Sequence, residues 1–157
     1  MSEIVHRKVI ESKICEFRRK NVMLDRDLAE LYGVETKVLN QAVKRNENRF
    51  PEDFMFRLTR KEFDNLRSQI VTSSWGGIRH PPRAFTEHGI LMLSNALKSE
   101  QAVRMSIQII RVFNKMREMV RGYREILGKL KQIEKRQDVE SKEIWKDIRM
   151  LQQKVLK

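Results

Sequence analysis

The sequence predicts a helix-rich α+β protein: a helix-turn-helix (winged-helix-like) core with small β-hairpins, followed by a long C-terminal helix that forms a coiled coil. Leu24 to Arg45 reads as two helices joined by a tight turn. Short apolar runs bounded by turn residues flank that pair on both sides. Beyond Val120 there is no proline, and apolar residues recur at helical spacing in a charged background.

In the helix pair, Leu28, Leu31 and Tyr32 fall at i, i+3 and i+4 and make one apolar stripe. Asp25 is expected to cap the first helix by accepting from its free amides. Gly33 stands where that helix must stop, because a residue past a helix end often needs positive φ. Val34 follows as an apolar plug, and Thr36 is expected to cap the second helix. There Leu39, Ala42 and Val43 share one side, while Thr36, Lys37, Asn40, Gln41 and Lys44 share the other. An ordinary pair of packed helices with a solvated polar face would show the same pattern, so the rest of the chain must decide.

A length of 157 residues fits one domain with an appendage. The formal charge of +12 favours a polyanionic partner, nucleic acid or an acidic membrane surface. Cys15 is the only cysteine, which excludes an internal disulfide, and it forms no metal quartet with His6, His80 and His88. It is expected to be a half-buried strand residue. The N-terminus lacks the apolar segment of a signal peptide, and no apolar run reaches membrane-spanning length. A cytoplasmic protein without a membrane partner is expected.

Residues 1–13 read as an arm or short helix, 14–120 as the folded domain and 121–157 as a helical tail. Ile14 to Arg18 alternates as a strand does, Arg19-Lys20-Asn21 turns the chain, and Val22 to Leu24 returns. Arg18, Arg19 and Lys20 at that tip suit phosphate contact or plain solvation. Pro51 blocks helix continuation, Phe54 to Leu58 is strand-like, and Phe50, Phe54 and Phe56 are core candidates. Thr59 and Glu62 form a capping box for a helix to about Ser68, with Phe63 and Leu66 inward. Ile70 to Thr72 and Arg83 to Phe85 suggest strands around a loop that carries Trp75, Arg79 and His80, the place of a wing. Thr86 caps a helix over 87–97, where His88 has no partners for a triad. Ser99 starts another helix whose core face is read as Val103, Ser106, Ile107, Ile110 and Phe113, widened by Ile109, Met116 and Val120. In the tail, Ile126, Leu130 and Ile133 fit a heptad seam that Ile144, Ile148, Leu151 and Val155 resume, interrupted by Gln137 and Glu140. The step from Ile133 to Ile144 to Val155 is eleven residues.

The stretches VMLDRDLAELYGVETKVLNQAVKRN, RFPEDFMFRLTRKEF, RSQIVTSS, GGIR and AFTEHGILMLSNAL, in that order, resemble the phage-derived ORF6N domain, related to the KilA-N DNA-binding domain. The resemblance covers roughly residues 14–117 and implies an α+β DNA-binding module of prophage regulators or antirepressor-like proteins. It departs at Arg18 to Asn21, where glycine is usual, and at the basic segment Arg79 to Arg83.

The expected function is double-stranded DNA binding by the helix at 36–46 in the major groove, in a transcriptional regulator. Asn40 and Gln41 would read adenine edges and Lys37 guanine. Thr36, Lys44, Arg45 and Arg49 would hold phosphates, with Arg79 and Arg83 as secondary contacts. A homodimer through the C-terminal helix would place two such helices on a two-fold site. The alternative is a protein-interaction module whose tail binds a repressor protein. An enzyme is not expected, nor a metal or cofactor: Asp25 and Asp27 open a helix, Glu52 and Asp53 sit in a turn, and neither pair has a basic or histidine companion. RNA binding usually needs an exposed aromatic platform, which is not evident.

Overall fold

The computed structural model describes residues 2–69 and 80–155. Along the chain run α1 (Ser2–Lys13), β1 (Cys15–Phe17), β2 (Lys20–Leu24), α2 (Asp25–Tyr32), α3 (Thr36–Arg45), a 3-10 turn (Glu47–Arg49), β3 (Met55–Arg57), α4 (Arg60–Gln69), β4 (Arg83–Phe85), α5 (Glu87–Leu97) and α6 (Glu100–Val155). This is the expected helix-rich α+β class. Two compact units divide the chain, Met1–Asn114 and Lys115–Lys157.

The four strands form one antiparallel sheet in the order β1-β2-β4-β3. Alternation along each strand sorts its side chains onto two faces. Leu24, Ala84 and Phe56 lie side by side in register. With Val22 they pack into a buried cluster with Leu58 and with Phe63 and Leu66 of α4. Met23, Phe85 and Met55 form the next register row, and alternation turns it to the opposite face. There α2 contacts β2 and β4, α5 contacts β4, and α3 packs on α2 and α5. Helices on both faces explain why Val22, Met23 and Leu24 are buried in succession.

Several local expectations hold. Gly33 takes φ 72 and ends α2 in a Schellman motif, with Gly33 N–H donating to Glu30 and Val34 N–H to Ala29. Thr59 and Glu62 exchange bonds as a capping box, at 2.8 and 3.2 Å. Thr86 accepts from the Gly89 amide, and Ser99 accepts from the Ala102 amide to start α6. Gly89 is required by space: a Cβ there would lie 2.2 Å from the Phe54 carbonyl oxygen. Cys15 is half-buried, and burial pushes its thiol up to about 11.

Of the arm or short helix expected at the N-terminus, residues 2–13 form the helix, 12 residues long with Ile10 buried. Other expectations are corrected. The hairpin turns one residue early: Phe17 pairs with Lys20, leaving Arg18 and Arg19 as a two-residue loop with φ 53 and 65. Positive φ at both positions matches the right-handed twist of the flanking strands. Arg18 is held there by Glu62, by the Arg57 carbonyl and over the Phe56 ring, so the tip is anchored to α4. Leu24 stands at the N-cap of α2 and Glu35 at that of α3, so Asp25 and Thr36 are first helical residues and neither caps. Phe54 is only partly buried and stacks on His88, with centroids 5.3 Å apart.

β4 is flanked by β2 and β3, which places it inside the sheet and not in a wing hairpin. Ile70 to Thr72, Trp75 and Arg79, the rest of that expected wing, lie outside the described residues. In α6 the buried residues of the first unit are Ala102, Ser106, Ile109, Val112 and Phe113, whereas Val103 and Ile107 are exposed. Tyr32 explains the rotation. Its hydroxyl meets Ser106 Oγ at 2.7 Å, both groups buried, which turns the Ala102–Ser106–Ile109–Phe113 row inward. Burial pushes the Tyr32 hydroxyl up to about 12, so it stays neutral.

Candidate nucleic-acid interface

α3 buries Leu39, Ala42 and Val43 and turns Lys37, Gln41, Lys44 and Arg45 to solvent. The helix contains no acidic residue. Thr36 is half-buried at its start, and Arg49 is exposed on the 3-10 turn that follows. Asn46 closes α3 by donating from Nδ2 to the Ala42 carbonyl at 2.8 Å.

What fixes α3 is a buried carboxylate. Asp25 is 6% exposed. Its Oδ1 accepts from the Arg26 amide at 2.8 Å, and its Oδ2 accepts from Asn40 Nδ2 at 3.2 Å and from the Arg83 amide at 3.3 Å. One oxygen thus ties α3 to β4 directly. A buried carboxylate is tolerated only when its lone pairs are used, and these three donors use them. Asn40 is half-buried, its amide is committed to Asp25, and its Oδ1 is buried without a partner.

The same tie brings Arg83 next to α3. Its guanidinium is half-buried, and burial holds its pKa below the usual arginine range, with Arg57 adding repulsion and Asp25 and Glu47 opposing. Arg57 is the register partner of Arg83 on β3 and is exposed. Arg83 and Arg57 therefore form a basic pair across β4 and β3. Of the nine predicted contact residues, the structure brings Lys37, Gln41, Lys44 and Arg45 onto one solvent face. It places Arg83 within the Asp25 link and Asn40 beneath the face.

Two residues on this surface went unread in the sequence. Val38 is exposed among Lys37, Gln41 and Arg45, which a helical wheel places correctly because it lies three residues before Gln41. Arg57 becomes significant only through its strand register with Arg83, which no local pattern reveals. At the hairpin tip, Arg18 and Lys20 share an open depression with Glu52, Asp53 and Phe56, so charge there is mixed. No described helix is long and apolar enough to cross a membrane.

Comparison with known proteins adds one finding. The ORF6N domain matches residues 12–96. That span covers β1 through nearly all of α5 and stops short of Arg117, where the sequence resemblance was drawn. Searches of curated proteins and of solved structures return no match. The matched span is more than half of the chain and contains the whole sheet, α3 and the Asp25 link, and on that ground the chain belongs to the ORF6N domain family.

Proposed function

We propose that this protein is a phage-related regulator that binds double-stranded DNA with α3 in the major groove. The observation that carries this reading is the division of labour in α3. Its outer face is basic and polar at Lys37, Gln41, Lys44 and Arg45, while Asp25 and Asn40 hold its inner side against β4. A helix that reads bases must be both presented and rigidly positioned, and phosphate contacts alone carry no sequence information.

In this reading Gln41 pairs with adenine and Lys37 with guanine. Val38 is placed to meet a thymine methyl. Lys44, Arg45, Arg49 and the Arg57–Arg83 pair hold phosphates, with Thr36 near the helix start. Asn40 positions the helix and does not read a base, since its amide is already engaged. The +12 charge supports the same partner through counterion release.

Fluorescence anisotropy on random duplexes at several salt concentrations tests the phosphate part. Each phosphate contact contributes about 0.9 to the slope of log affinity against log salt. Lys44→Ala/Arg45→Ala is expected to lower that slope by roughly two contacts' worth. An unchanged slope would remove α3 from the DNA surface.

A further inference from the structure

From Lys115 onward α6 leaves a row of large apolar side chains uncovered. Tyr123, Ile126, Leu130 and Ile133 follow steps of three and four, and all are at least half exposed. Ile144, Ile148 and Leu151 resume the row. Such steps keep residues on one stripe of a helix, and helix stability in water comes chiefly from covering that stripe. Between the two runs the same stripe carries Gln137 and Glu140.

We propose that a second copy of this chain covers the stripe in a parallel, in-register two-stranded coiled coil, with an internal polar layer at Gln137. The proposal is independent of the DNA-binding reading. The apolar residues alone do not set direction, because the row also overlays its own reverse: Leu130 would meet Leu151 of an antiparallel copy, and Ile133 would meet Ile148. Charge favours the parallel pair. In a parallel pair the residue preceding Leu130 meets the residue following Ile133, so Lys129 faces Glu134 of the other copy, twice by symmetry. In the antiparallel pair residues that precede facing seam positions meet each other, so Lys129 faces Lys154 and Arg136 faces Asp147, a repulsion that offsets the attraction, and Gln137 is set against Ile144.

The polar layer adds a second argument. Parallel pairing sets Gln137 against Gln137, where each amide can donate to and accept from the other. A single polar residue in such a seam fixes register at some cost in stability. Steps of three and four alternate from Tyr123 to Ile144; the two successive steps of four, Glu140 to Ile144 to Ile148, locally unwind the supercoil, and the pair of Glu140 carboxylates beside them is a like-charge cost of the parallel arrangement.

The test is site-directed cross-linking of the full chain with its only cysteine removed, Cys15→Ser. Chains carrying Leu130→Cys should form a disulfide-linked dimer on mild oxidation. A mixture of Leu130→Cys chains and Leu151→Cys chains should link like with like. Light scattering on the unmodified chain should give twice the monomer mass. Gln137→Leu should tighten the dimer and raise the share of 130-to-151 links, because the register device is gone. A monomer or a higher oligomer by light scattering overturns the proposal. So does preferential 130-to-151 linkage in chains that retain Gln137.

Discussion

The two units of this chain solve the problem of apolar surface in opposite ways. In Met1–Asn114, Val22, Leu24, Phe56, Leu58, Phe63 and Leu66 close one face of the sheet by themselves. In Lys115–Lys157, no described side chain is buried, and Ile126, Leu130 and Ile133 are exposed. The first unit therefore carries its own stability and can hold a functional face in fixed geometry. The second has the periodicity of a packed helix without the packing, which is the stripe that the proposed second copy would cover. On the proposed readings, DNA affinity belongs to one unit and pairing to the other.

The largest expected effect breaks this contrast at the core. Phe63 is fully buried between α4 and the sheet. Phe63→Ala should cost about 3–5 kcal/mol and lower the urea midpoint sharply. Leu130→Ala, at an exposed tail position, should leave that midpoint unchanged when unfolding is followed through Phe-rich domain signals.

A smaller effect is expected at the Asp25 link. Asp25→Ala strands the Asn40 amide and the Arg83 N–H, which costs about 1–3 kcal/mol for a buried donor left unpaired. DNA affinity should fall further than stability does, because α3 loses its tie to β4. Conversely, a change in stability with affinity intact would show that α3 is held without this carboxylate. Calorimetry and anisotropy on the same preparation read both.

The smallest effect sharpens the contrast through pH. The Arg18 side chain, bonded to Glu62, holds that carboxyl below its ordinary range, helped by the Thr59 amide. A group depressed in the folded state stabilises above its unfolded pKa, and that contribution disappears as pH falls through the folded value. Glu62 is only half-buried, so the gain is modest. Wild type should exceed Glu62→Gln in thermal midpoint near neutrality, and the two should converge in acid. A constant gap across that range would assign the difference to packing.

Local chemistry was legible in the sequence. Gly33 needs a left-handed backbone, Thr59 and Glu62 satisfy each other, and Thr86 caps α5; each signal lies within a few residues. The α3 face was equally legible, because helical spacing alone separates Lys37, Gln41 and Lys44 from Leu39 and Val43. What escaped depends on distant partners. Asp25 read as a cap because Arg83, 58 residues away, cannot be seen from its neighbourhood. Arg18 and Arg19 hid their turn because the left-handed backbone is stabilised by contacts of Arg18 with Glu62 and Phe56, with no glycine to announce it. In α6, Val103 and Ile107 look more apolar than Ala102 and Ser106. The Tyr32–Ser106 hydrogen bond nevertheless sets which side is buried.

On the proposed function, the outer face of α3 reads DNA bases. The most direct test of this is selection from a randomised duplex library with the intact chain and with Lys37→Ala/Gln41→Ala. Both positions are exposed, so folding should be unaffected, and matched circular dichroism melts verify this. A defined enriched sequence is expected for the intact chain, and for the variant its loss with non-specific affinity largely retained. Enrichment of the same sequence by both proteins, or of none by the intact chain, would contradict it.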